Sequence, residues 1–418
     1  MLDPTIIAIP LYFSLIGLEL LYVHFTKNKL YRFKDAITNI NAGATQQIVA
    51  VLMSLVGISL YAVVYEWFSL KLIDTSQWYW HTFLLLFVLW DLCYYWAHRL
   101  SHEINLFWSA HVVHHQSEYY NLSVALRQSW FQGVWTAPVY LPLAIIGFDP
   151  QQVVFVAGIN LIYQFWIHTE TINKMGWLEW IMNTPSHHRV HHGRNPKYID
   201  KNHAGVFIIW DRLFGTFQKE EERPVYGITT PIKSWNPIYA NFAHFKVIGQ
   251  QFREASSLKA KLQVLFKKPG WSAKSRAYLA VPEVDRSSYV PYDNPIPRGL
   301  SVYVTVQYVL LLGTIALFLF QQASLPGNVK WFFAAIVMLS VWTMSGLLEM
   351  KRPLYWLEYV RLPLTFGIYI YFLDGTFSQL MYGLPFMFLT VGSWYWLFRF
   401  FRAYQGLSGN KLVKPVKH

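Results

Sequence analysis

Apolar positions in this chain gather into long runs separated by polar stretches. Thr5–Phe25, Gln47–Phe68, Trp78–Tyr95, Phe131–Phe148 and Val153–Trp166 come first. Val302–Phe320, Trp331–Leu348, Leu362–Leu373 and Leu380–Phe398 come later. A helix that crosses a bilayer needs about 20 mostly apolar residues. The runs therefore predict an all-α, polytopic integral membrane protein with about seven to nine spans. Gly147-Phe148-Asp149-Pro150 punctuates a helical hairpin that either spans or dips in. Leu362–Leu373 is too short to cross alone, and extending it towards Tyr355 brings in Glu358 and Arg361.

Residues 169–300 form the longest polar stretch, closed by Pro291, Pro295 and Pro297, which read as a linker. The chain thus divides into a catalytic membrane domain, 1–300, and a C-terminal transmembrane helical region, 301–418. Lys27, Lys29, Arg32 and Lys34 follow the first run, Lys351 and Arg352 follow a later one, and Lys411, Lys414 and Lys417 lie in the tail. With an outward N-terminus and alternating spans these fall on one side, which the positive-inside rule makes cytoplasmic.

Composition supports the membrane reading. Of the 418 residues 54% are hydrophobic and only 14% charged, against about a quarter charged in soluble domains. Nineteen Trp and 27 Tyr suit interfacial belts. The net charge of +12 sits in loops beside apolar runs, with no zinc finger or RNA-binding signature, so lipid headgroups are the expected partner and nucleic acid is not. Cys93, the single cysteine, excludes an internal disulfide and a thiolate cluster. Met1–Pro4 has no basic residue, so the first run reads as a permanent span and not as a signal peptide.

The candidate chemistry lies in the histidines. His98 and His102 form H-x-x-x-H, and His111, His114 and His115 form H-x-x-H-H. His188, His191 and His192 repeat the second pattern, with His187 just before it, and His168 ends an apolar run. Residues three or four apart share a helix face, so three faces bring about eight imidazoles to one place, enough for two metal ions with open positions. Imidazole suits Zn, Cu, Fe and Ni alike, and a transition-metal transporter or sensor remains open. Oxidation of an unactivated C–H bond calls for iron, since zinc is redox-inert. Asp91, Glu103, Glu118 and Glu170 are candidates to orient the ring N–H groups. Asp91 is the sharpest of these because it lies inside an apolar run.

Asp91-x-x-Tyr94-Tyr95-Trp96-x-His98-Arg99-x-x-His102, then His111-x-x-His114-His115, then Asn183-Thr184-Pro185-Ser186-His187-His188-Arg189-Val190-His191-His192-Gly193 resemble the fatty acid hydroxylase / sterol desaturase superfamily over about 80–220. The resemblance implies a diiron, O2-dependent membrane oxidoreductase with a cytoplasmic-facing site and an external electron donor. It puts metal ligands at His98, His102, His111, His114, His115, His188, His191 and His192. His168 and His187 are implied as further ligands or ring-orienting donors; His203 lies off the core pattern. Tyr120–Ser129, Phe165–Glu170 and the pair of runs Asp200–Asn202 and Trp210–Phe217 carry a closer likeness to members acting on ether lipids. That likeness implies hydroxylation of the carbon beside the ether oxygen of an alkylglycerol, with release of an aldehyde and tetrahydrobiopterin as reductant. No pterin-binding motif is visible in the chain. Sterol or fatty-acyl hydroxylation or desaturation is the alternative. The implied location is the endoplasmic reticulum in a eukaryote or the inner membrane in a bacterium.

Overall fold

The structure, a computed structural model, describes residues 4–75, 79–371 and 376–405. Its helices are α1 (Pro4–Thr26), α2 (Phe33–Phe68), α3 (Trp80–Glu103), α4 (Asn105–His115), α5 (Gln132–Ile146), α6 (Pro150–Trp166), α7 (Pro185–His191) and α8 (Ile209–Leu213). They continue as α9 (Pro237–Glu254), α10 (Leu258–Phe266), α11 (Arg298–Gln321), α12 (Gly327–Leu348), α13 (Arg352–Tyr371), α14 (Thr376–Phe398) and α15 (Phe401–Gln405). A two-residue hairpin, Trp271–Ser272 against Ala277–Tyr278, is the one sheet among the described residues. The chain forms two compact units, Met1–Lys233 with Tyr239–Tyr292, and Ser234–Ile238 with Asp293–His418.

In the first unit, α2, α3, α5 and α6 enclose a core of Leu86, Trp90, Leu143, Phe148 and Val156. The α5–α6 corner follows the expected punctuation. Gly147 ends α5 at φ +119°, where an L side chain would be strained. Asp149 caps α6 by accepting from Gln151 N at 2.8 Å, with Pro150 at the first helical position. At 15 residues, α5 is about 22 Å long and falls short of an about 30 Å hydrocarbon core. α1 lies against α6, with Tyr12 stacked on Phe165 at 4.3 Å.

Two helices extend past their apolar runs for one reason. α2 begins at Phe33, and its early polar residues Asp35, Asn39, Asn41 and Thr45 are buried. Asp35 accepts from Asn39 at 2.9 Å and from Ser117 at 2.6 Å. α3 continues to Glu103 and so carries His98 and His102 beyond the apolar segment. Hydropathy registers only the apolar half of such helices, whereas buried hydrogen bonding sustains the rest.

In the second unit, α13 starts at Arg352 and takes in Glu358 and Arg361, which pair with each other in the interior. Pro363 has no N–H for the carbonyl of Tyr359, and the Trp394 indole of α14 donates to it instead, at 3.0 Å. Among the described residues, Ala8–Thr26, Arg298–Gln321 and Gly327–Leu348 are long and apolar enough to cross a membrane. Several of the other expected runs, Trp78–Tyr95 among them, carry Trp, Tyr and buried polar groups that dilute their hydropathy.

Candidate metal centre

Nine buried imidazoles gather into two sets in the first unit. His98 and His102 from α3, His111 and His115 from α4, and His191 from α7 form the first. His114 from α4, His168 just past α6, and His188 and His192 of the α7 turn form the second. Within each set one nitrogen of every ring lies within 4.8 Å of the corresponding nitrogens of the others. The sets adjoin: the rings of His115 and His192 stack at 4.4 Å. α4 and α7 each give residues to both sets, because positions i, i+3 and i+4 on a short helix fan across about 100° of one face.

Local structure fixes the rings. Ile104, in extended conformation, separates α3 from α4, and Asn105 ties the joint to α10 through its side chain to the Val264 carbonyl at 2.8 Å. α7 starts with Pro185 at its first position and is clamped by Asn183, which donates to Ala204 O at 2.6 Å. Arg189, fully buried, donates twice to Glu220, at 2.8 and 2.7 Å, and to the carbonyls of Thr169 and Ile172 at 3.0 and 2.7 Å.

Five of the nine rings present Nδ1 to an oxygen. His98 meets the His203 carbonyl at 2.7 Å, His114 the Arg127 carbonyl at 2.9 Å, and His168 the Gln164 carbonyl at 2.7 Å. His191 meets the Lys201 carbonyl at 3.0 Å and His111 the Gln132 side-chain oxygen at 3.1 Å. A main-chain carbonyl only accepts, so His98, His114, His168 and His191 carry hydrogen on Nδ1 and leave Nε2 as a bare lone pair. Asp200 and Asn202 adopt φ +55° and +56°, a region their side chains tolerate. The turn they make brings the carbonyls of Lys201 and His203 to the rings.

Within each set the Nε2 atoms crowd together. Nε2 of His98 lies 2.9 Å from Nε2 of His111, which is 3.1 Å from Nε2 of His115. Nε2 of His168 is 3.2 Å from Nε2 of His114 and 3.0 Å from Nε2 of His188. Two lone pairs at this distance repel unless a cation lies between them. Nitrogens bound at 2.0–2.1 Å at right angles around one ion lie about 3 Å apart. Nε2 of His102, His191 and His192 and both nitrogens of His203 are buried with no hydrogen-bond partner among the described residues. The donor set fits transition-metal ions. Burial holds all nine imidazoles below their ordinary pKa, His114 at about 4, so each is neutral and able to ligate at neutral pH.

Other expected residues have different surroundings. His187 belongs to neither set; its ring packs edge-on against Phe217 and lies 3.5 Å from Thr184 Oγ1. Asp91 accepts from Asn160, Val206 N, Phe207 N and the Trp210 indole at 2.8–3.0 Å. It thereby anchors the loop whose His203 carbonyl orients His98. Glu103 pairs with Arg99 at 3.2 Å and Lys268 at 3.1 Å. Glu170 takes both oxygens to Arg286 at 3.0 Å, and Glu118 accepts from the Tyr289 hydroxyl at 2.8 Å.

Two ring neighbours and one main-chain anchor lie outside the histidine motifs. Asp200 lies 3.6 Å from His102 Nδ1, Gln132 holds His111, and Asp211 accepts from His203 N and Ala204 N at 2.7 and 2.8 Å. His203 itself lies with its ring 5.0 Å from that of His102. Main-chain carbonyl partners leave no sequence signal at all.

Buried imidazoles in two adjoining sets, at the ends of α3 and α6 and on the short helices α4 and α7, together with a family match place the protein in the class of lipid hydroxylases. The family model of the fatty acid hydroxylases matches residues 83–216, which hold all nine rings. The chain is 44% identical to the alkylglycerol monooxygenase of Homo sapiens over 73% of its own length and 68% of that protein. It is 37% identical to that of Danio rerio over 93% and 87%, and 41% identical to that of Xenopus tropicalis over 72% and 67%. The chain belongs to the alkylglycerol monooxygenase family. No solved structure shows a significant match to it.

Proposed function

We propose that the protein is an integral membrane monooxygenase that hydroxylates the carbon beside the ether oxygen of alkylglycerols. One oxygen atom of O2 enters the C–H bond and the other leaves as water, with two electrons and two protons supplied by an external reductant, which we assign as tetrahydrobiopterin. The hemiacetal so formed breaks into a long-chain aldehyde and the freed glycerol. The observation that carries this reading is the pair of adjoining imidazole sets, five and four strong.

His98, His102, His111, His115 and His191 would hold one iron, and His114, His168, His188 and His192 the other. Iron bound there supplies the activation of O2 and the oxidising power for an unactivated C–H bond. The chain's own part is positioning. Carbonyl partners fix the Nδ1 tautomer of four rings, and burial keeps protons and bulk water from competing for the nitrogens. Asp91 acts through the 203–207 loop, and Glu103 through Lys268, which also reaches Asp200 at 3.5 Å beside His102. Glu170 acts through Arg286, which ties it to the Pro224 carbonyl at 3.0 Å. All three carboxylates are positioning residues in this scheme. The basic residues flanking the apolar runs support a cytoplasmic-facing site, at the endoplasmic reticulum in a eukaryote or the inner membrane in a bacterium.

The test is incubation of the iron-loaded protein with a lipid panel under 18O2, with prompt reduction of aldehydes and mass spectrometry. The reading expects 18O in the fatty aldehyde from alkylglycerol and O2 uptake that depends on that lipid. A vinyl ether product without 18O would make the protein a desaturase. Bound zinc without O2 consumption would remove it from the oxygenases.

A further inference from the structure

The second unit contains a charged pair that the proposed chemistry does not use. Glu358 and Arg361, one turn apart on α13, are 0% and 2% exposed and hydrogen-bonded to each other. The Tyr303 hydroxyl of α11 donates to Glu358 at 2.7 Å, and Arg361 Nη2 donates to the Gln307 oxygen at 2.8 Å. Gln307 in turn donates to Ser393 Oγ of α14 at 2.8 Å. A buried ion pair is no more stabilising than well-packed apolar side chains of the same volume. An ionisable pair within membrane helices points to a function.

A narrow cleft between α11, α13 and α14 opens beside this network. Arg361, Thr365 and Ser393 form its polar end, and Leu310, Phe366 and Phe386 its apolar walls. Leu389, 46% exposed, stands at its rim. Donor capacity remains at the polar end. Arg361 Nη1 makes one long hydrogen bond, 3.5 Å to Thr365 Oγ1. The Ser393 hydroxyl accepts from Gln307 and has no acceptor for its own proton among the described residues.

Charge and depth narrow the ligand. Glu358 already neutralises Arg361, so the cleft has no need of an anion. Gln307 lies five residues into the apolar run that starts at Val302, about 8 Å along the helix and inside the hydrocarbon core. A phosphate headgroup does not descend that far. We infer that this cleft binds an uncharged single-chain lipid with a small oxygen-bearing head, the class of long-chain alcohols, aldehydes and monoalkylglycerols. The oxygen accepts from Ser393 and Arg361, and the chain lies along Leu310, Phe386 and Leu389. The inference is independent of the activity proposed for the first unit.

The test uses the full chain in detergent and a hexadecanol probe carrying a mid-chain diazirine and a terminal alkyne. After irradiation, labelled peptides are expected around 307–311, 362–366 and 386–393. Unlabelled hexadecanol should compete, and dioleoyl phosphatidylcholine should not. Leu389→Trp fills the cleft and should abolish labelling there. Ser393→Ala removes one donor at nearly constant volume and should weaken hexadecanol competition by about threefold to tenfold. The inference is overturned by absent or evenly spread labelling, or by equal competition from the phospholipid. It is also overturned if Leu389→Trp retains both its melting temperature and its labelling. Should that variant melt early, unchanged competition in Ser393→Ala overturns it instead.

Discussion

Gly205 and Asp91 are so close that a Cβ added at 205 would lie 2.7 Å from Asp91 Oδ1 and 2.9 Å from Tyr94 Cδ1. The contact lets two successive main-chain N–H groups, of Val206 and Phe207, reach the carboxylate. Gly205→Ala is therefore expected to displace the loop and the His203 carbonyl, lowering bound iron without touching any histidine. Asp91→Asn should act similarly, since its amide places a donor among four donors and leaves at least one unsatisfied, at about 1–3 kcal/mol. Iron per chain by elemental analysis and the melting temperature report both effects. Wild-type iron content in both variants would remove Asp91 from the site's architecture.

His191 and His114 represent the two imidazole sets. His191→Ala and His114→Ala should each abolish turnover and reduce iron below two per chain. His187→Ala, outside both sets, should retain its iron. Full turnover in either of the first two variants would show that residue is not a ligand. Loss of iron in His187→Ala together with an unchanged melting temperature would enlarge the second set.

Protonation sets a pH limit on the metal-free protein. The buried imidazoles have folded-state pKa values below the 6.5 of an unfolded histidine, His114 at about 4. Between those values the unfolded chain binds more protons than the folded one. Stability therefore falls as pH drops through 6.5, by up to about 1.4 kcal/mol per pH unit for each such group. The metal-free melting temperature should fall steeply from pH 7.5 to 5.5, and iron loading should blunt that fall. A flat metal-free profile would mean that the rings are not held neutral.

Arg189 and Glu220 anchor α7 through a two-pronged pair with almost no solvent exposure. Arg189→Lys keeps the charge but cannot reach the carboxylate and two carbonyls together. Glu220→Gln leaves the guanidinium without a charge partner, which costs about 3–5 kcal/mol at a buried site. Thermal melts should show both variants destabilised, with iron lost in parallel. Loss of activity in Arg189→Lys at unchanged melting temperature and iron content would instead give Arg189 a direct role.

The sequence displayed the imidazole faces because spacing of three and four residues survives in any helix. It did not disclose how the rings are shared out, since that depends on the angles at which α3, α4 and α7 meet. His187 illustrates the limit: it stands next to His188, yet the helical turn directs it to Phe217 and out of the sets. His168 has no histidine neighbour in sequence and reaches the second set only because α6 ends beside His114. The ring-orienting carbonyls of Arg127, Gln164, Lys201 and His203 could not be read from residue types, because every residue has one. Membrane spans were legible where apolar residues dominate and obscured in α13, where buried Glu358 and Arg361 hold one another.

Because α4 and α7 each carry rings for both sets, the two sites share their moving parts. An α-helix turns about 100° per residue, so one residue inserted ahead of His111 or His188 would swing every later ring on that helix away from both sites at once. Neither site can be retuned, enlarged or emptied by sliding a helix without the other following. The spacing between the two centres is therefore set by helical pitch, and it is inherited or lost as a whole.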